Sequence, residues 1–409
     1  MITLRSESAV AIVDKFLAAC LGSAIAIAMA RALGADDLGD FALYTAVATI
    51  IATLTNFGVH SVSGRAIAKN QSQLARYMGN SLAIRLYIST PATLLLTGVT
   101  PLVLGYGMDR LGTALLCAAN VQALSIMLLM CNAFFSLRRV PSALTINIAQ
   151  KAVALALAIP TAFQSQNLHL TLLALLISSC ASSILGFLLL KQREPALRIV
   201  LHPRFACALV RRSMPLASAA IAENIGLRID VVLIGAMLGS AAAGLYGASY
   251  ALYMAGTMAP LALIKVFFVR YAGAVDKDHM AAQAIAKQAW WRVFLLSTGT
   301  ACLLGSTSFL VVPIVFGKDF YGSAAPLLIL SAAIPFIAIN RLYGHMLVAR
   351  GSDRAYFKSA VMSAIVNILL NCMLIPTLGI VGAAISTIAT ECTTLVYSRI
   401  ALSRILCKR

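Results

Sequence analysis

Charge is what this chain has least of. Only 11% of its 409 residues are Asp, Glu, Lys or Arg, where a soluble domain carries about 25%. With 60% hydrophobic residues and a mean hydropathy of +0.89, the chain has no means of wetting the surface of a water-soluble globule. It needs an apolar solvent, and the bilayer core is one. Acidic residues are scarcer still, 14 against 32 basic, for a net charge of +18. In a soluble protein that excess suggests nucleic acid. Here the basic residues fall in short breaks between apolar runs, with no RNA-binding or helix-turn-helix pattern, so nucleic acid is not expected as a partner.

Other absences narrow the class further. No C-x-x-C pair occurs among the nine cysteines, most of which lie inside apolar runs, so they read as small packing residues and not as disulfides or metal ligands. The five histidines lack ligand spacing, and neither a metal nor a cofactor is expected. There is no P-loop, no H-E-x-x-H and no G-x-S-x-G. Catalysis is therefore not expected, and energy must come from an ion gradient, the membrane potential or the substrate's own gradient. The first apolar run holds Asp14 and Lys15 and lacks an uninterrupted apolar core with a small-residue cleavage site. It reads as a spanning helix and not as a cleaved signal.

What is present is a series of apolar runs: 9–33, 40–64, 80–105, 112–136, 143–162, 169–190, 213–238, 244–269, 289–316, 324–348, 357–375 and 379–399. Each approaches the roughly 20 residues that cross about 30 Å of hydrocarbon as helix. Twelve spans put both termini on one side. The breaks on that side carry 23 basic residues, Arg65, Lys69, Arg76 and Arg85 among them, and the opposite breaks carry Arg31, Arg110 and Lys318 alone. The positive-inside rule then places both termini in the cytoplasm. The opposite breaks, such as 106–111, 239–243 and 376–378, are too short to hold a soluble domain. The basic segment 191–212, with Pro195 and Pro203, reads as a cytoplasmic linker between an N-terminal six-helix bundle, 1–190, and a C-terminal one, 213–409.

An internal repeat supports two halves. Leu33-Gly34 with Gly39 and Phe41 recurs 205 residues later as Leu238-Gly239 with Gly244 and Tyr246, and the same offset relates Arg65 to Arg270. Six helices between copies, an even number, predict halves related by an axis along the membrane normal.

Ionisable residues within membrane helices are costly, by about 2.5–3.5 kcal/mol on insertion scales, and face a cavity or a partner. The candidates are Lys15, Lys151, Arg228 and Arg341, read as a cationic cavity for phosphate or acidic sugars, because a guanidinium donates two bonds at once. Asp14, Glu223, Asp230 and Glu391 are candidates to carry a coupling ion; Glu223 and Asp230, seven apart, are expected on one helix face. The alternative for each is an interhelical ion pair, for instance of Glu223 or Asp230 with Arg228 or Arg341. Lys265 and Arg292 read as snorkelling, His345 as structural, Asn367 and Asn371 as interhelical links, and Trp290 and Trp291 as an interfacial anchor.

Ala30-Arg31-Ala32-Leu33-Gly34 with Leu38-Gly39, Asn56-Phe57-Gly58 with Arg65-Ala66-Ile67-Ala68, and Asp230 before Leu238-Gly239 resemble segments of polysaccharide exporters. So do Asn367-Ile368-Leu369-Leu370-Asn371, Leu374-Ile375-Pro376 and Gly379-Ile380-Val381-Gly382-Ala383-Ala384-Ile385-Ser386-Thr387 with Glu391. The chain thus resembles the Wzx-type lipid-linked oligosaccharide flippases of the multidrug/oligosaccharidyl-lipid/polysaccharide exporter superfamily. The resemblance implies an all-α, MATE-like membrane fold of two six-helix bundles. It implies alternating-access transfer of an undecaprenyl-pyrophosphate-linked O-antigen or other repeat unit from the cytoplasmic to the periplasmic leaflet of the bacterial inner membrane. Membrane lipid, a polysaccharide polymerase and a chain-length regulator are the implied candidate partners. The alternative on the same fold is an ion-coupled drug or small-molecule antiporter. A membrane glycosyltransferase or polymerase would need the long external loop that is missing here.

Overall fold

A computed structural model describes the backbone of residues 2–275 and 277–406, and the side chains of these apart from 2–20, 215, 216, 219, 279, 405 and 406. Every regular element among the described residues is helical: α1 (Ile2–Thr55), α2 (Val59–Lys69), α3 (Leu74–Ile84), a π-helix (Arg85–Ser89), α4 (Thr90–Val103), α5 (Leu111–Ser136), α6 (Val140–Ser165) and α7 (Leu168–Arg193). Then come α8 (Pro203–Gly226), α9 (Ile229–Leu238), α10 (Ser240–Ala274), α11 (His279–Ser306), α12 (Ser308–Phe316), α13 (Ala324–Ala349) and α14 (Asp353–Leu406). Eight helical segments are long and apolar enough to cross a membrane, and nine if α11 and α12, bent by 71°, form one broken span.

The helices are apolar outside and polar inside. Along α4 the exposed residues are Leu95, Leu96, Val99, Leu102 and Val103, while Thr93, Thr97, Gly98 and Pro101 are buried. Along α7 Leu170, Leu173, Ile177, Ile184 and Leu188 face out, and Thr171, Ser178, Ser179, Ser182, Ser183 and Gly186 face in. Water would select the reverse. Lipid permits it, because helix association there depends on close approach and hydroxyl bonds. Accordingly Ser179 Oγ donates to Asn120 Oδ1 (2.7 Å) and Ser183 Oγ to the Ala123 carbonyl (2.7 Å), tying α7 to α5.

The chain forms two compact units, 1–224 and 225–409. The first has a core of α2, α3, α5, α6 and α7 side chains around Phe134, Met130 and Ile146. The second centres on Phe267, Tyr271, Val293, Leu342 and Leu347 of α10, α11 and α13. The division falls downstream of segment 191–212, which is not a loose tether. Helix α7 runs on to Arg193 and α8 starts at Pro203, so only 194–202 is irregular. That stretch lies on α3: the His202 N–H donates to Asn80 Oδ1 (2.8 Å), and a Cβ at Gly79 would stand 2.3 Å from the Arg198 carbonyl oxygen.

The repeated glycines have matching backbones. Gly34 (φ 83°, ψ −174°) and Gly239 (φ 92°, ψ 175°) each interrupt a helix with a conformation that excludes an ordinary side chain. The expected loop between the first two runs is thereby reduced to one residue inside α1. A similar break at Gly379 divides α14.

Candidate functional site

The second unit holds four of the eight intramembrane candidates, Arg228, Asp230, Arg341 and Glu391. Arg228 occupies the N-cap of α9 and is half-buried; Asp230, in the first turn, is 2% exposed. Helix α10 presents Tyr246, Tyr250 and Tyr253 at i, i+4 and i+7, one face of a helix. Their rings form a contiguous row, Tyr246 stacked on Tyr250 with centroids 6.0 Å apart and Tyr253 tilted by 55° against Tyr250 at 5.5 Å. Tyr246 Oη donates to Asp230 Oδ2 (2.9 Å), and Thr387 Oγ1 of α14 approaches the same oxygen at 3.4 Å. One turn on from Thr387, Glu391 accepts from Asn340 Nδ2 of α13 at Oε2 (2.6 Å) and at its carbonyl (2.9 Å). Arg341 adjoins Asn340. Asp230, Arg228, Glu391 and Arg341 all lie within electrostatic reach of the Tyr250 hydroxyl.

Two features of this cluster bear on chemistry. Asp230 is held by hydroxyls and not by an arginine, and its Oδ1 has no hydrogen-bond partner. Asn340 Oδ1 and Tyr253 Oη are likewise buried without partners. Unsatisfied acceptors beside a carboxylate are what a proton or a small cation would satisfy. Arg228 forms no ion pair among the described residues, so its charge is available to an anionic group.

Other expectations fared differently. Lys151 stands half-buried on α6, its Nζ 3.8 Å from where a Cβ at Gly22 of α1 would lie. The side chains of Asp14 and Lys15 lie outside the described residues. Glu223 and Asp230 do not share a helix face, because the helix is interrupted at Leu227 and Arg228 between α8 and α9. Asn371 Nδ2 donates to the carbonyl (2.9 Å) and Oδ1 (3.0 Å) of Asn367 within its own helix, and no bond from it to another helix is present among the described residues. His345 Nδ1 bonds the Arg341 carbonyl (2.8 Å), its ring edge-on to Phe268 at 5.1 Å. Trp290 stacks on Phe294 at 5.0 Å while Trp291 is half exposed.

The residue that sequence reasoning misplaced is Arg85. Counted with the loop charges, it is 4% exposed at the start of the π-helix. Its Nη1 donates to the carbonyl and Oγ of Ser125, whose Oγ also accepts from Asn56 Nδ2 (3.1 Å). A turn away, Gln122 Nε2 bonds Ser89 Oγ (2.9 Å), which in turn meets Thr55 Oγ1 (2.7 Å). Among the described residues Arg85 has no carboxylate partner, and its Nε is unbonded. Its place five residues inside the 80–105 run was the available signal. π-Helical insertions of this kind cluster at functional sites. An ion pair joins Arg110 to Asp40 elsewhere in the first unit, the guanidinium also 4.6 Å over Tyr106.

A family model described as polysaccharide biosynthesis protein matches residues 5–268. Among solved structures, "Lipid II flippase MurJ, inward closed conformation" superposes with a TM-score of 0.76 at 13% identity, over 96% of this chain and 87% of that one. An inward-facing multidrug resistance MATE transporter gives 0.74 at 13% identity over 94% of both chains. A MOP superfamily transporter from Pyrococcus furiosus gives 0.65 at 12% identity over 97% and 96%. At these identities the likeness is one of fold. No curated protein matches the sequence.

Proposed function

Starting from a multi-pass membrane chain that belongs to the polysaccharide biosynthesis protein family, we propose that it flips an undecaprenyl-pyrophosphate-linked oligosaccharide, an O-antigen or other surface repeat unit, to the periplasmic leaflet of a bacterial inner membrane. The family match carries the reading. The lipid II flippase fold at a TM-score of 0.76 supports it. So does the cluster in the second unit, where Arg228 and Arg341 suit pyrophosphate and the row of tyrosine rings on α10 suits the flat faces of sugars. Lys151 of the first unit and Lys15 are the remaining cationic candidates, proposed on the sequence alone. Asp230, with its free oxygen beside Tyr246 and Thr387, carries the coupling proton or cation, and Glu391 assists; Asp14 and Glu223 are the remaining acidic candidates. The protein performs no catalysis of its own, and a polymerase and a chain-length regulator are its proposed functional partners.

Twelve spans with both termini cytoplasmic belong to the same proposal. Helices α1 and α14 have 54 residues each, about 80 Å at 1.5 Å per residue, against a hydrocarbon core of about 30 Å. Each therefore counts as two spans divided at its glycine, and α8 with α9 supplies another. The boundary at 191–212 marks the connection of the halves.

Deletion of the gene in its host tests the function. Loss of surface polymer, with the complete repeat unit trapped on its lipid carrier, is the expected result. Normal glycan in a strain lacking any second flippase would transfer the reading to a small-molecule antiporter, which the MATE-like fold also accommodates.

A further inference from the structure

The first unit carries a basic feature that shares no residue with the intramembrane charges. An open groove of about 560 Å³ is lined by Arg76, His202, Arg204, Phe205 and Ala208. Arg76 comes from the first turn of α3, within a span that begins at Gln71, and Arg204 and Phe205 come from the first turn of α8. The groove therefore lies where a membrane helix meets the water boundary, with Lys191 and Arg193 at the end of α7 shortly before it in the chain.

Its walls are fixed. The Arg76 guanidinium sits 4.3 Å over the Phe205 ring, and Phe205 is edge-on to Tyr77 at 5.1 Å. Asn80, 1% exposed, donates to the Arg76 carbonyl (2.8 Å) and accepts from the His202 N–H (2.8 Å), clamping the two helix ends together. The groove has no acidic lining residue. Neither Arg76 nor Arg204 forms an ion pair among the described residues. Arg76, seated over Phe205, and the exposed Arg204 thus line one groove without a carboxylate, an arrangement that an anion between them would favour. Guanidinium forks fit phosphate oxygens, and Phe205 and Ala208 offer an apolar floor for the glycerol and upper acyl chain. Basic pockets at helix ends on the cytoplasmic face recognise anionic headgroups in general.

We infer that the groove formed by Arg76, His202, Arg204 and Phe205 binds the phosphodiester headgroup of an anionic phospholipid. This site is separate from the transport cluster and does not rest on the substrate proposed above.

Full-length protein reconstituted in phosphatidylcholine nanodiscs, titrated with phosphatidylglycerol and read by native mass spectrometry, provides the test. The Arg76→Gln/Arg204→Gln pair should lose phosphatidylglycerol affinity by about tenfold or more, the loss of charge-assisted bonds. Arg138→Gln/Arg139→Gln, an exposed basic pair elsewhere, should leave it unchanged. Equal losses in both pairs, or none in either, would overturn the inference, because diffuse charge and not the groove would then govern binding. A loss confined to added undecaprenyl pyrophosphate would also overturn it, reassigning the groove to the lipid carrier. Should the Gln pair not accumulate, the wild-type protein still decides. Phosphatidylglycerol retained over phosphatidylcholine must fall as salt is raised, and a flat ratio contradicts an ionic site.

Discussion

A carboxylate with 2% exposure in a membrane-embedded bundle needs donors, and Asp230 has two hydroxyls on one oxygen and none on the other. Asp230→Asn keeps the size and the Tyr246 contact but loses the titratable charge. It should leave membrane abundance unchanged and abolish the response of transport to an imposed ion gradient, measured in vesicles. An unaltered gradient response would remove Asp230 from coupling. Arg85 poses the opposite balance. Its bonds to Ser125 do not offset the desolvation of a guanidinium that has no carboxylate beside it. Arg85→Met should therefore leave thermal stability unchanged or raise it by about 1 kcal/mol, while transport falls. A destabilised protein with normal specific activity would make Arg85 structural. Asp230 could be singled out from the sequence because it sits mid-run with polar neighbours few. Arg85 carries a weaker signal: five residues inside the 80–105 run, it is still near enough to the run's end to be compatible with a loop, and its fit against Ser125 of α5 shows it buried.

At the scale of elements, the apolar runs were legible because lipid demands an outward apolar face on nearly every helix, as on α4 and α7. The breaks were less so. The π-helix at Arg85–Ser89 leaves no composition signal, and the interruption at Leu227–Arg228 separates Glu223 from the face expected for Asp230. The break that the runs 9–33 and 40–64 leave between them is a single residue, Gly34, within α1. That residue and Gly239 share a positive φ near 90° with ψ near 180°, an essentially glycine-only region that costs another residue about 1–3 kcal/mol. Gly34→Ala and Gly239→Ala should each lower the melting temperature, by comparable amounts if the repeat is structural, in detergent-solubilised protein. A loss at one position alone would dissolve the equivalence.

For the whole molecule, the distribution of Lys and Arg across the breaks predicts that both termini are cytoplasmic. Cysteines introduced at 108 and 241, in a background lacking the exposed Cys207, Cys302 and Cys372, should react with an impermeant thiol reagent in intact spheroplasts, and one at 200 should not. The reverse pattern would invert the topology. The family match and the apolar-faced helices are those of a multi-pass membrane protein of polysaccharide biosynthesis, and the most direct measurement follows the lipid-linked cargo proposed for it. Proteoliposomes holding the purified chain and its host's undecaprenyl-pyrophosphate-linked repeat unit would be probed with an external glycosidase. The account predicts that inner-leaflet glycan becomes cleavable with the wild-type protein and stays protected with Arg228→Gln/Arg341→Gln. Protection with the wild-type protein under every imposed gradient, or equal cleavage with the double variant, would contradict it.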